Sequence, residues 1–344
     1  MKMNIRSLEF KNNKLFLIDQ RVLPQQYKKF ICRNFKDVEF AITDMVVRGA
    51  PAIGVTAAYG IVLAAIEFID LPPKDFFKKM HLACDLINKS RPTAVNLMWA
   101  ITRMSKLLIE SKTQKEILSD LRKEANIIAD EDIQTNKKMG QLGNSLIPQK
   151  ATILTHCNTG ALATVKYGTA LGVIRAAVAS GKDIFVYADE TRPRLQGSRL
   201  TAWELVQEGI PAKLIADSVA ATLIRDGKID LILVGADRIA TNGDTANKIG
   251  TFMLSVMARV YRIPFYIVAP TTTIDFSRQT GTEIEIEERS PREVTHIMNV
   301  QIAPDNIDIY NPAFDVTPNE NITAIITEKG IIEKPFKENI LKLK

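Results

Sequence analysis

Thr152-Ile-Leu-Thr-His-Cys157-Asn-Thr-Gly160 is an apolar run that ends on a thiol and a turn, and its reading decides the fold. A short apolar run closed by a polar, glycine-bounded turn suits a strand buried on both faces. Leu231-Ile-Leu-Val-Gly-Ala-Asp237 repeats the pattern further on, with a carboxylate in the place of the thiol. If both strands lie in one parallel sheet, Cys157 and Asp237 project into the same crevice at its carboxyl edge. Packing alone has no need of such a pair, so it reads as chemistry.

Working outward, the chain from residue 150 onward repeats strand, turn and helix. Strand candidates are Ala151–His156, Ile184–Ala188, Ala212–Ala216, Leu231–Val234 and Phe265–Val268, and helices are predicted at Ala161–Ser180, Ala202–Glu208, Ser218–Asp226 and Lys248–Tyr261. Continuous apolar strands alternating with helices mark a doubly wound parallel sheet. The strand ends deliver Cys157, Asp189-Glu-Thr-Arg-Pro193, Asp217, Asp237 and Pro270-Thr-Thr-Thr, which is where a site belongs in such a sheet. Neither a G-x-G-x-x-G fingerprint nor a P-loop is present, so a dinucleotide or nucleoside triphosphate is not indicated.

Residues 36–140 are helical in period: Val38–Val46, Ala52–Ile69, Asp75–Ile87, Ala94–Glu110 and Gln114–Met139. Before them, Ser7–Val22 reads as a strand pair turning at Lys11-Asn-Asn-Lys14. The chain of 344 residues therefore divides into a mainly helical amino-terminal domain, 1–140, and an α/β domain, 141–344. A hydrophobic content of 46%, a charged content of 24% and a net charge of +6 describe an ordinary globular chain. Basic and acidic residues are interleaved and aromatics are only 7%, so no nucleic-acid platform is expected, and a small anionic substrate suits the modest positive excess. The three cysteines lie far apart, which fits a reducing cytoplasm and neither a zinc knuckle nor a disulfide framework. No signal peptide is seen, and the apolar run Val55–Ile69 is interrupted and shorter than the ~20 residues that span a bilayer.

Four further constellations carry chemistry. Arg48-Gly-Ala-Pro51 opens a helix, where Gly49 allows close approach and free amides beside Arg48 suit an anion; a plain helix–helix turn is the alternative. Ser90-Arg91-Pro92-Thr93 repeats that logic more weakly. Thr191-Arg-Pro-Arg-Leu-Gln196-Gly-Ser-Arg199 is a basic loop that reads either as a solvated charge run or as a lid or phosphate clamp. After Asp237 comes a Gly- and Asn-rich loop, then Asn247 and Lys248 at the start of a predicted helix, placed to orient a hydroxyl and neutralise phosphate. Asp237 itself could instead pair with Arg238 or cap the following segment, and Cys157 could be a small buried hydrophobe. Its place before a predicted helix, whose dipole favours a thiolate, argues for function. His81 and His296 lack ligand spacing, and no metal or other cofactor is expected.

These residues resemble the S-methyl-5-thioribose-1-phosphate isomerase family. The resemblance is carried by Asp19-Gln-Arg-Val-Leu-Pro24, Asp44–Gly54, Ser90–Thr93, Thr155–Gly160, Glu190–Arg199, Gly235–Arg238, Asn242–Thr251 and Asn311–Pro318, and so runs through nearly the whole chain. It departs from the family at Phe10, Thr241 and Glu285, away from the proposed site. The resemblance implies a Rossmann-like carboxy-terminal domain, a homodimer, and conversion of the aldose phosphate to 5-methylthioribulose 1-phosphate in methionine salvage. It also implies that Cys157 and Asp237 are catalytic and that Arg48, Gly49, Ala50, Arg91, Gln196, Asn247 and Lys248 bind substrate. Asp237 would act as general acid on the ring oxygen, with its proton in place near neutral pH. Related alternatives within the superfamily are ribose-1,5-bisphosphate isomerase and a regulatory subunit of the translation-initiation guanine-nucleotide exchange factor, which senses nucleotide without turnover.

Overall fold

A computed structural model describes residues 5–91 and 94–344. By compactness the chain divides into two units, one of Ile5–Asn136 with Gly160–Gly168, the other of Lys137–Thr159 with Thr169–Lys344. The division falls inside one long helix, and a short segment after the thiol loop belongs with the helical unit.

The helical unit opens with an antiparallel sheet of β1 (Leu8–Lys11), β2 (Lys14–Ile18) and β3 (Lys29–Cys32). The turn lies at Asn12 and Asn13, both at positive φ, as the Asn-Asn dipeptide predicts; the third strand was not foreseen. Helices α1 (Phe35–Thr43), α2 (Ala50–Phe68), α3 (Pro73–Lys89), α4 (Val95–Ser105) and α5 (Gln114–Asn144) follow. Helix α2 is apolar on every side and long enough to cross a membrane, yet every residue from Ala52 to Ala65 is buried within the protein. It is the central helix of the unit, touching α1, α3 and α4. Its neighbours show the reason: they are amphipathic, and each turns a stripe such as Phe76, Met80, Ala83 and Ile87 of α3 onto it.

The second unit is built on a seven-stranded sheet. Its strands are β4 (Lys150–Thr155), β5 (Asp183–Asp189), β6 (Ala212–Ile215), β7 (Leu231–Val234), β10 (Phe265–Val268), β15 (Ala324–Thr327) and β16 (Gly330–Ile332), in the order β16-β15-β10-β7-β4-β5-β6. All pairs are parallel except β15 with β16. Alternate residues feed two cores. Ile153, Leu231, Leu233, Val268 and Ile326 pack on one face with helix α6 (Ala170–Ala179), while Leu154, Ile232, Val234, Ile267 and Ile325 pack on the other. Helices α8 (Val219–Arg225), α9 (Thr251–Tyr261) and α11 (Phe336–Leu341) cover that second face. A period of two with both phases apolar is what burial on both faces demands.

Two predicted elements differ. The helix expected over Ala161–Ser180 is a single 3-10 turn at Ala161–Ala163, and α6 begins only at Ala170. Val165 is instead tied within the helical unit, its carbonyl accepting from the Ser7 N–H at 3.0 Å and its own N–H donating to Asp132 at 2.7 Å. The helix expected from Lys248 begins at Thr251, because the residues before it form a hairpin, β8 (Arg238–Ala240) with β9 (Thr245–Lys248). That hairpin, with β11 (Ile274–Asp275) and β14 (Phe314–Thr317), makes a separate four-stranded sheet. The remaining short elements are α7 (Ala202–Glu208), α10 (Arg292–Thr295), β12 (His296–Ile297) and β13 (Val300–Gln301).

Candidate active site at the carboxyl edge of the parallel sheet

Strand β4 is followed in space by β5 and β6 on one side, while β7 returns to its other side and the sheet then grows away through β10. The winding direction therefore reverses between β4 and β7. Such a reversal opens a crevice at the carboxyl ends of the two strands. Thr155 pairs with Leu233 in the parallel register, so Cys157 and Asp237 follow the ends of adjacent strands at that reversal. The two segments that open the sequence reading meet here.

Cys157 is buried, at 8% exposure, and adopts φ +62°, a left-handed conformation costly for a residue with a side chain. Such strain costs of order 1–3 kcal/mol and persists only where the surroundings impose it. They do so here: the Cys157 N–H donates to Thr191 Oγ1 at 2.9 Å, and its carbonyl accepts from Thr201 Oγ1 at 2.6 Å. Its neighbours are anchored too. Asn158 donates to Glu204 at 2.8 Å, and Glu204 is paired with Arg175 at 2.7 Å. The thiol loop is thus held by threonines and buried polar side chains, and the predicted helix dipole beneath it is absent, since the chain does not turn helical there.

Asp237 lies between β7 and β8, half-buried. Its N–H donates to the Ala246 carbonyl at 2.9 Å, and continuing the antiparallel register of β8 and β9 sets it opposite Asn247. The hairpin therefore brings the carboxylate beside the two polar residues at the end of β9. The carboxylate has no hydrogen-bond or ion-pair partner among the described residues, whereas Arg238 reaches Asp275 at 3.5 Å. Pairing with Arg238 is thus ruled out as the reason for the residue. Asn247 is 4% exposed and donates to Thr251 Oγ1 at 2.9 Å. Lys248 is 5% exposed, donates to the Ala313 carbonyl at 2.8 Å, and sits 4.3 Å from the centre of the Phe314 ring. A buried ammonium whose neighbours include a carbonyl and an aromatic face is a positive charge suited to an anion.

Gln196 is 6% exposed, and its amide oxygen has no hydrogen-bond partner among the described residues. Buried acceptors are rarely left unmet, so this one suits a ligand hydroxyl. Gly197 fixes its place: a Cβ there would lie 1.6 Å from the Asp189 carbonyl oxygen, so only glycine lets the loop press onto the end of β5. The lid or clamp reading of the arginines changes, however. Arg192 donates to the Val294 carbonyl at 2.9 Å and Arg194 pairs with Glu293 at 2.8 Å, so these two staple the loop to α10.

In the helical unit, Gly49 caps α2 at φ +98°, and a Cβ on it would meet Ala163 Cα at 2.6 Å. Packing alone therefore demands glycine there. Ala50 is the first residue of α2, and no side chain caps that end of the helix. Gln20, which composition and spacing gave no reason to single out, accepts from Arg48 Nε at 3.2 Å and donates to the Leu162 carbonyl at 2.7 Å, and so orients the arginine. Arg91 follows α3; Pro92 and Thr93 of its motif lie outside the described residues.

Two of the strand-end carboxylates, Asp189 and Asp217, gather with His156, the member of the group that the sequence did not single out. His156, Asp189 and Asp217 bring possible ligand atoms within 4.8 Å of one another. They are a poor metal site, because His156 Nδ1 faces Asp189 Oδ2 at 2.9 Å and Nε2 faces the Ile249 carbonyl at 2.9 Å. Asp217 already accepts from the Thr191 and Arg192 amides, at 2.7 Å and 2.8 Å.

Comparison with known proteins shows the family. A Thermoanaerobacter sp. (strain X514) protein named methylthioribose-1-phosphate isomerase is 70% identical over 342 residues, 99% of each chain. The crystal structure of 5-methylthioribose 1-phosphate isomerase from Pyrococcus horikoshii OT3 superposes with a TM-score of 0.93 at 46% identity, covering 100% of this chain and 96% of that one. A structure from A. fulgidus described as translation initiation factor eIF-2B, subunit delta, superposes at 0.88 with 44% identity, covering 98% and 99%. With residues 46–334 matching its model as well, the chain belongs to the initiation factor 2 subunit family.

Proposed function

We propose that the chain is an aldose–ketose isomerase that converts 5-methylthioribose 1-phosphate to 5-methylthioribulose 1-phosphate in methionine salvage. The observation that carries this reading is the thiol and the carboxylate, unpartnered among the described residues, at the reversal between β4 and β7, in a chain 70% identical over 342 residues with a methylthioribose-1-phosphate isomerase. The substrate has no free aldehyde until its ring opens. Asp237 protonates the ring oxygen as the bond from that oxygen to carbon 1 breaks. Cys157 as thiolate then takes the proton from carbon 2; its thiol returns a proton to carbon 1 while the carbon 2 hydroxyl gives its own to the Asp237 carboxylate, which leaves the ketose and restores both side chains. In the second route, hydride passes from carbon 2 to carbon 1 while the carbon 2 hydroxyl gives up its proton to Asp237. Lys248 neutralises phosphate, Asn247 and Gln196 orient hydroxyls, and Arg48, Gly49, Ala50 and Arg91 are the substrate-binding residues of the helical unit. A Rossmann-like carboxy-terminal domain, a boundary near residue 140, a homodimer and a cytoplasmic location belong to the same proposal.

The deciding experiment gives the purified protein methylthioribose 1-phosphate and ribose 1,5-bisphosphate in parallel and follows ketose formation by NMR. Turnover of the first alone is expected; preference for the bisphosphate would move the reading to that isomerase. Turnover of neither would favour a regulatory subunit, the reading that the A. fulgidus relative's name supports. Solvent deuterium at carbon 1 of the product would select the proton-transfer route, and retention of a carbon 2 label would support hydride transfer.

A further inference from the structure

His156 precedes Cys157 at the end of β4, and Ile249 follows Lys248 at the end of β9. One imidazole ring ties the two together. The Ile249 carbonyl can only accept, so Nε2, 2.9 Å away, carries a proton. Nδ1 lies 2.9 Å from Asp189 Oδ2, a second acceptor when ionised. A ring that donates on both sides is an imidazolium, here at 1% exposure against an equally buried carboxylate. Such a pair is expensive to bury and is retained where it fixes geometry. We propose that His156 is a positioning residue for the isomerisation, its ring gripped between Asp189 and the Ile249 carbonyl so that the Cys157 loop is fixed against the Asn247–Lys248 turn. The inference rests on the isomerase reading above and adds to it a residue that touches neither sugar nor phosphate.

The groups that face the ring set its charge. Asp189 ends β5, Asp217 follows β6, and Asp315 stands on β14, with Lys248 of β9 acting on Asp315 in turn. Burial by itself would push the imidazole down, but the hydrogen bond and charge of Asp189, with Asp217 behind it, hold it above its ordinary value. Asp315 is committed elsewhere, accepting from the Gly250 and Phe252 amides at 2.7 Å and 3.0 Å at the start of α9. Lys248 keeps its own bond to the Ala313 carbonyl when the ring is lost, so phosphate binding survives and alignment of the thiol does not.

The test compares His156→Asn and Asp189→Asn with the parent enzyme, measuring kcat and KM against pH. The second variant keeps the ring and guards against failure of the first to fold. In both, kcat per folded enzyme is expected to fall by about 10- to 100-fold with KM within about threefold, the pattern of misalignment by a fraction of an ångström. In Asp189→Asn the alkaline limb of kcat moves to lower pH, which a merely structural role would not produce. The chain has three histidines, so the ring nitrogen signals of His156 are assigned in labelled parent protein by their loss in His156→Asn. Imidazolium shifts at neutral pH support the proposal, and a neutral ring there overturns it. Full kcat per folded molecule in both variants removes this proposal alone, whereas no turnover by the parent removes the isomerase reading and this proposal together.

Discussion

Replacing Asp237 with asparagine separates chemistry from architecture more cleanly than any other substitution in this chain. The amide keeps the size and shape of the carboxyl and loses only its ability to hold and deliver a proton. The structure sets the stability cost close to zero: the carboxylate has no partner among the described residues, and the bond that holds the segment runs from the Asp237 backbone to Ala246. A substitution outside any bonded network changes stability by roughly 0.5 kcal/mol or less. General acid catalysis is worth about 10²- to 10⁴-fold in rate. At about 1.4 kcal/mol per decade, kcat should fall by the equivalent of roughly 3–5.5 kcal/mol. KM should change little, because phosphate and hydroxyl contacts are assigned to other side chains. The assay is direct NMR observation of ketose formation at saturating substrate, with thermal unfolding of both proteins alongside. If kcat stayed within threefold, Asp237 would leave the mechanism. A comparable loss of rate with a collapse in Tm would mean that the carboxylate is structural.

Lys248→Ala should raise KM by about 10- to 100-fold with a smaller effect on kcat, since a charge-assisted bond is worth roughly 1.5–3 kcal/mol; unchanged KM would place phosphate elsewhere. Gly197→Ala should unfold the loop that carries Gln196 or abolish soluble expression, because a Cβ has no room against the Asp189 carbonyl; a well-folded, active variant would contradict that contact. Burial pushes the Asp132 carboxyl up to about 7 from an ordinary 3.8. Between those values the folded protein keeps a proton that the unfolded chain has lost, so stability declines as pH rises through the interval. Asp132→Asn, which retains an acceptor for the Val165 N–H, should flatten that decline in a series of Tm measurements, and an unaltered slope would refute the assignment.

The parallel sheet was legible because its inner strands are buried on both faces. Leu231–Val234 and Phe265–Val268 lie where their apolar runs predict. A run that must be apolar in both phases leaves a mark in sequence, and so does its end, where Cys157 and Asp237 interrupt it. The β8–β9 hairpin was not legible. Its short strands, Arg238-Ile-Ala and Thr-Ala-Asn-Lys248, carry a single β-branched residue each and no aromatic, and their outer partners, β11 and β14, lie far away in the chain. Ala161-Leu-Ala read as helical by propensity, yet the segment is claimed by Ser7, Gln20 and Asp132, and tertiary bonds outweigh preferences of a few tenths of a kcal/mol per residue.

The same distinction explains which of the proposed site residues stand out in sequence. A thiol or carboxylate proposed to react, placed at a strand end, is conspicuous because it breaks a pattern. The groups that hold it break none: Thr191 is an ordinary loop threonine, Thr201 ends the π-helical turn before α7, Gln20 is one amide beside Asp19 and Arg21, and His156 is one ring at the edge of a strand. Each acquires its role only when elements distant in sequence are brought together. The strain at Cys157 makes that dependence physical, because a left-handed cysteine costing of order 1–3 kcal/mol is held by two threonine bonds, each worth about 1 kcal/mol, together with the anchored side chains on either side. Removing one threonine hydroxyl therefore releases the thiol from its conformation without touching any reacting atom, and for that reason variants of the support should impair kcat while leaving the phosphate contacts intact.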